Sequence, residues 1–232
     1  MSNQHILLLG ATGASGIAFL EYVLPLPDGP KLSLLLRNKS KLPQDLVTQY
    51  QHKLTIVEGQ LNDEAKLEEV LKGGITAVVS LLGPYPSLYH LLTRTKPTPI
   101  ADSLHVVKKV MKKYGVKLLL ALSTPRHSMP GEKYSWSQYV TTKTLPATFM
   151  PQGSAEMTAI GEVCADEEFE YTIFRVPFLS AGSGDAKVHA GFYGPDFKGS
   201  QELSRASLAR WLWDEIKDGN WIRKQPALGN YW

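Results

Sequence analysis

The sequence predicts an α/β protein built on a doubly wound parallel sheet, with helices on both faces and a small irregular region. Three observations predict it. Short, almost wholly apolar runs recur along the chain, amphipathic stretches separate them, and a glycine-rich turn in HILLLGATGASG, residues 5–16, joins the first run to the first such stretch. A strand with no polar face must be covered on both sides, and alternation with helices supplies that cover. With 232 residues, 43% hydrophobic and 20% charged, the chain suits one globular domain over residues 1–232.

The elements follow in order. His5 to Leu9 reads as a strand, Ala14 to Leu24 as a helix, Leu32 to Leu36 as a second strand and Leu54 to Val57 as a third. A helix over Asp63 to Lys72 leads to a strand at Ile75 to Ser80, and a long helix from Ile100 to Tyr114 leads to a strand at Lys117 to Leu122. A helix from Ser154 to Glu168, a strand at Tyr171 to Val176 and a helix from Ser204 to Lys217 complete the series. Two stretches break the rhythm: 84–97, with Pro84, Pro86 and Pro97, and 125–153, with four prolines and no clear period. A third, 179–199, is rich in Gly and Ser with aromatic residues between them. All three would leave the C-terminal ends of strands, where open α/β sheets bind their ligands.

Charge excludes several functions. Twenty-five basic against 22 acidic residues give a net charge of +3, too even a balance for a nucleic-acid or acidic-membrane partner. The densest basic run, Lys108, Lys109, Lys112 and Lys113, falls at helical spacing and reads as the solvated face of a helix. The single cysteine, Cys164, excludes an internal disulfide, and the scattered histidines give no metal-ligand spacing, so no metal is expected. No signal-length apolar segment is present, which makes the cytoplasm the expected location. The expected partner is a small molecule, with the chain acting as a monomer or homodimer.

Gly10, Gly13 and Gly16 follow a strand and open a helix. One glycine serves the tight turn, a second leaves room for a pyrophosphate against the backbone, and a third permits close packing of helix on strand. The helix then presents unpaired N–H groups and its positive dipole end to the phosphates, and Thr12 and Ser15 add hydroxyl donors. A bound dinucleotide is the expectation. Its kind is decided at the end of the second strand, where NAD binding usually requires Asp or Glu for the ribose hydroxyls. Here LLLRNKSK places Arg37 at that point. A guanidinium suits a 2′-phosphate, so the cofactor is expected to be NADP(H).

These residues together resemble the atypical short-chain dehydrogenase/reductases, especially the NAD(P)-binding group with NmrA-like proteins and the flavin and biliverdin reductases. The resemblance runs from Gly10 to the strand end Phe174-Arg175-Val176-Pro177, and the final SRASLARWLWDEIKDGNWIRKQPALGNYW looks like fungal members. It implies a Rossmann-like fold in which Gly10, Thr12, Gly13, Ala14, Ser15 and Gly16 form the phosphate loop and Arg37 meets the 2′-phosphate. Leu61 and Asn62 would contact the adenine, and Leu82 and Gly83 the ribose side. Ser123 would lie at the nicotinamide, beside the backbone of Val176, Pro177 and Phe178.

In the wider family a Tyr-x-x-x-Lys pair performs the proton chemistry: the lysine lowers the phenol pKa and holds the ribose. Tyr139 and Lys143 have that spacing, and with Ser123 they are the candidate catalytic residues. The competing reading makes the pair ordinary residues of an irregular loop, since Pro146, Pro151 and Gly153 interrupt the helix that should continue from it. The function expected is an NADPH-dependent oxidoreductase that passes hydride to a small carbonyl or conjugated substrate, aromatic, quinone or flavin-like. The alternatives are an NADP(H)-sensing regulatory protein and a redox-neutral isomerase, dehydratase or cyclase on the same fold.

Overall fold

The computed structural model describes residues 4–84 and 88–231; part of the expected loop at 84–97, including Pro86, therefore lies outside the described residues. Strand β1 (His5–Leu9) passes through the glycine turn into helix α1 (Ala14–Val23) and then β2 (Lys31–Leu36). The short helix α2 (Gln44–Gln49) leads to β3 (Leu54–Glu58), α3 (Glu64–Leu71) and β4 (Ala77–Ser80). Next come α4 (Leu88–Thr93), α5 (Pro99–Lys113) and β5 (Leu118–Ser123). The chain continues through α6 (Trp136–Tyr139), a π-helical turn (Val140–Thr144), α7 (Leu145–Phe149) and α8 (Pro151–Cys164) into β6 (Glu170–Arg175). Beyond it lie β7 (Phe178–Ser180), β8 (Lys187–Gly191), β9 (Glu202–Ser204), α9 (Arg205–Asp218) and β10 (Ala227–Tyr231).

Eight strands form one sheet in the order β3-β2-β1-β4-β5-β6-β10-β8. Its order reverses direction between β1 and β4, where Ile6 lies opposite Leu32 on one side and Ala77 on the other. This is the Rossmann-like arrangement expected, with α1 and α9 packed together on one side and α3, α5 and α8 packed in series on the other. Ile6, Leu7, Leu8 and Leu9 are all fully buried, because the central strand has a helix layer over each face.

The sheet departs from expectation at its last strands. Residues 179–199 are not simply irregular: they contain β8, which pairs antiparallel with β10 from Ala227↔Gly191 to Tyr231↔Lys187. β10 in turn lies parallel to β6, so the sheet is parallel with one antiparallel edge strand. β7 and β9 form a separate parallel pair, Phe178 opposite Glu202. The segment 125–153 is likewise largely helical from Trp136 onward. A capping box, Ser135 with Gln138, starts it, and Pro151 occupies the first turn of α8, where a missing N–H costs nothing.

The lysine face of α5 is solvated and also paired. Lys109 meets Glu64 and Lys113 meets Glu68 on α3, while Lys112 meets Glu168 and Lys108 meets Asp166 beyond α8. Trp213 is buried, and Trp211 packs on Phe174 with ring centres 6.0 Å apart, anchoring α9. Among the described residues, no helix is long and apolar enough to cross a membrane.

Candidate functional site

The three glycines have three separate roles. Gly10 has φ +86°, a left-handed conformation that side chains resist, and a Cβ there would lie 2.9 Å from the Leu81 carbonyl group. The turn after β1 thus abuts the end of β4. A Cβ on Gly16 would lie 2.2 Å from the Gly10 carbonyl oxygen and 2.7 Å from the Ala11 Cα, so only hydrogen fits where α1 crosses the turn. Gly13 is the open one: its nearest neighbour would be the Gly10 oxygen at 3.4 Å. It stands at the N-cap of α1 with no side chain capping the helix, so the first-turn N–H groups are left for a ligand or solvent. That cradle fits a pyrophosphate. Thr12 and Ser15 are partly exposed beside it and Ala14 is exposed.

Arg37, one residue past β2, is exposed and has no ion pair or hydrogen bond among the described residues. Its neighbours are otherwise occupied: Asn38 caps the turn that follows, and the Lys39 backbone N–H donates to Glu58. After β3, Leu61 packs against the core and Asn62 is exposed, while Asp63 caps α3 by accepting from the Lys66 N–H at 3.1 Å. After β4, Leu82 is half-buried, and a Cβ on Gly83 would meet nothing nearer than the Met157 methyl at 3.9 Å.

From Gly83 a cavity of about 860 Å³ opens across the ends of β5 and β6. Thr124, Pro125, Val176, Pro177 and Phe178 border it at the strand ends. Leu88 and Leu91 of α4, Phe149 and Met150 beside α7, and Met157 of α8 make most of its remaining wall apolar. Thr141 and Thr142 of the π-helical turn, Gln201 and Arg205 contribute polar groups. Thr141, Thr142 and Gln201 carry no sequence signal for this role; Arg205 carries one, a cation at the first position of a helix, where the dipole disfavours it.

The three candidate catalytic residues do not converge. Ser123 is fully buried and its hydroxyl donates to the Met157 carbonyl at 2.7 Å, turned into α8 and away from the cavity; its neighbour Thr124 faces the cavity. Strand alternation explains the exchange, since adjacent side chains point to opposite faces. Tyr139 is 55% exposed and lies outside the cavity wall. The Lys143 side chain is instead buried, its ammonium donating to the Pro125 and Arg126 carbonyls and to the Ser128 hydroxyl at 2.6 Å. It also sits 4.6 Å from the centre of the Tyr134 ring. Burial lowers its pKa to about 8, with the positive Arg175 and Arg126 adding to the effect.

Beneath this loop lies an ion pair. Arg175 and Glu132, whose side chains are 0% and 1% exposed, meet through two bonds of 2.6 and 2.9 Å. Arg175 also donates to the carbonyls of Gln225 and His127, and Glu132 accepts from the Met129 and Tyr193 N–H groups and from the Tyr134 hydroxyl. Burial alone would raise the Glu132 pKa, but its bond to Arg175 and the guanidinium charge outweigh that and hold it at about 2. Tyr134 and Tyr193 stack with ring centres 4.8 Å apart, and His189 packs edge-on to Phe197 at 5.0 Å. These aromatic residues support the loop behind the cavity.

A glycine cradle at the reversal of strand order, an exposed arginine at the end of β2 and a cavity at the neighbouring strand ends define a dinucleotide-binding α/β protein. Residues 10–219 match a family model described as NAD(P)H-binding, and the chain belongs to that family. No curated protein matches the sequence significantly. Among solved structures, a short-chain dehydrogenase/reductase from Veillonella parvula in complex with NADP is 18% identical with a TM-score of 0.73, covering 97% of this chain and 94% of that one. An anaerobillin reductase from Escherichia coli O157:H7 is 16% identical with a TM-score of 0.70, covering 97% of each chain. The oxidoreductase ylbE from Lactococcus lactis is 16% identical with a TM-score of 0.69, covering 98% and 91%. These likenesses are of fold.

Proposed function

We propose that the protein is an NADPH-dependent oxidoreductase that reduces a carbonyl or conjugated small molecule, aromatic, quinone or flavin-like. The observation that carries this reading is the position of the cavity: it begins at Gly83, Thr124 and Val176, where a dinucleotide laid from the Gly10–Gly16 cradle along the strand ends would finish. When bound, the nicotinamide supplies a hydride. The residues' work is to bind and orient. The α1 N-terminus with Gly13 and Ser15 holds the pyrophosphate, and Arg37 holds the 2′-phosphate. Leu61 and Asn62 border the adenine, and Leu82, Gly83, Val176, Pro177 and Phe178 flank the nicotinamide half. The apolar walls exclude water from the transferred hydride. Thr124 is the hydroxyl at the strand ends, and solvent is the other proton source.

In this reading Lys143 supports the loop, and neither it nor Tyr139 serves the proton. The same geometry supports a second reading, the NmrA-like sensor of NADP(H), which needs no proton donor. Calorimetry with NADPH and NADH tests the first. NADPH is expected to bind the more tightly, and Arg37→Ala to weaken it by about 10- to 100-fold with little effect on NADH. Oxidation of NADPH by some member of a panel of quinones, flavins and ketones should follow. Tight binding without any turnover would favour the sensor, and no binding of either nucleotide would remove both readings.

A further inference from the structure

The cavity is mostly apolar, with a few hydroxyl and amide groups in its wall. Among its described lining residues only Arg205 carries a full charge at neutral pH, with His90 the other ionisable side chain. The guanidinium of Arg205 makes no ion pair or hydrogen bond among the described residues. Two other well-buried or helical arginines do have partners: Arg175 pairs with Glu132, and Arg210 donates to the Ala186 carbonyl at 2.7 Å. Arg205 also stands at the first position of α9, in a first turn without acidic residues, where the helix dipole repels a cation. Its charge therefore serves neither the helix nor an ion pair within the described fold.

Gln201 lines the same cavity. Its amide lies 2.8 Å from the Thr141 hydroxyl, whose single hydrogen is also within reach of the Ser137 and Gln138 carbonyls, and in either orientation of the amide at least one N–H has no partner among the described residues. A guanidinium and an amide N–H, each without a partner among the described residues, thus line one chamber whose wall is mostly leucine, methionine, proline and phenylalanine. A full positive charge with an N–H donor, and no acid in the described lining, suits an anion. A planar fork suits a carboxylate best, because it meets both oxygens at once.

We propose that Arg205 and Gln201 form an anion subsite that receives a carboxylate on an otherwise apolar, conjugated substrate. The proposal rests on the oxidoreductase reading for the word substrate, but the subsite itself can be read without turnover. It makes Arg205 a specificity-determining residue: the apolar body of the ligand fills the chamber, and the carboxylate fixes which end lies toward the strand ends.

The test uses 2-naphthoate and its neutral analogue 2-naphthamide as probes, titrated by calorimetry into the full chain with and without NADPH. The carboxylate is expected to bind about tenfold or more tightly than the amide, with the preference shrinking as salt is raised. Arg205→Gln should abolish the preference by weakening the carboxylate alone, and Arg205→Lys should keep part of it as a point charge. Gln201→Leu should reduce it less. Thermal melting of each variant should match the parent, because neither group carries a contact of the fold beyond the Thr141 bond. Equal affinity for the two probes, no binding of either, or an unchanged preference in Arg205→Gln overturns the subsite. NADPH titrations on the same samples separate the two ideas: lost NADPH binding in the parent chain with an Arg205-dependent preference sinks the cofactor reading alone, and the reverse result sinks the subsite alone.

Discussion

A single methyl group separates the roles of Gly13 and Gly16. Gly16→Ala forces a carbon to within 2.2 Å of backbone, which no rotamer can relieve, so α1 must lift from the turn. The expected result is a fall in stability of about 2 kcal/mol or more by denaturant titration, with NADPH binding lost as well. Gly13→Ala meets nothing nearer than 3.4 Å and should melt like the parent, yet its methyl projects into the pyrophosphate space and should weaken NADPH at least tenfold. Ser123 and Thr124 give the matching test at the cavity. Ser123→Ala removes a buried bond to Met157 and should cost about 1 kcal/mol without touching ligand binding; Thr124→Val should alter turnover or probe binding and leave stability nearly unchanged. The glycines were legible in the sequence because backbone conformation alone dictates them. The choice between Ser123 and Thr124 was not, since it depends on which face of β5 is covered by α8, a fact of packing.

Between β5 and α8 the chain is held from behind by charge. Glu132 is ionised in the folded state down to about pH 2, well below its ordinary value of 4.5. A depressed carboxyl pKa contributes stability that is complete above about pH 4.5 and is lost as pH falls from there toward 2. Denaturant midpoints should therefore drop steeply over that window, and Glu132→Gln should flatten this part of the profile while costing about 3–5 kcal/mol at neutral pH, because Arg175 is left buried without its counter-charge. Lys143 works in the same structure, and Lys143→Met should loosen 125–128 and lower stability, whereas Tyr139→Phe should leave turnover within about twofold. The prolines that made 125–153 look irregular in sequence mark helix starts, at Pro146 and Pro151. The π-helical turn, in which Thr142 donates to the Gln138 carbonyl, had no periodic signature, because one extra residue shifts every later side chain around the axis.

Across the whole molecule the first six strands of the main sheet and the large helices α1, α3, α5, α8 and α9 could be read from apolar runs and helical period, their ends shifting by one to a few residues. The closing strands could not. β10, with Gly229 and Asn230 in its middle, has the composition of a turn, and its place is set by tertiary contacts: a Cβ on Gly229 would lie 2.4 Å from the Ser200 carbonyl oxygen, and the Asn230 amide oxygen accepts from the Ser204 N–H at 2.6 Å. β10 also brings the chain past Arg175, which bonds the Gln225 carbonyl. Ending the chain after Gly219 should consequently leave β6 open and β8 without its partner. Such a chain is expected in the insoluble fraction, or with a broad, uncooperative melt by circular dichroism. The interposition of β10 between β6 and β8 also sets an order of events during synthesis. β8 is made 36 residues before β10, counting from Gly191 to Ala227, yet it has nothing to pair with until β10 arrives. At roughly 5–20 residues per second the ribosome holds that strand unpaired for seconds, long beside the microseconds a hairpin needs to form. The nascent chain is thus most exposed to misassociation in the interval between β8 and β10, when the first six strands of the sheet are already made.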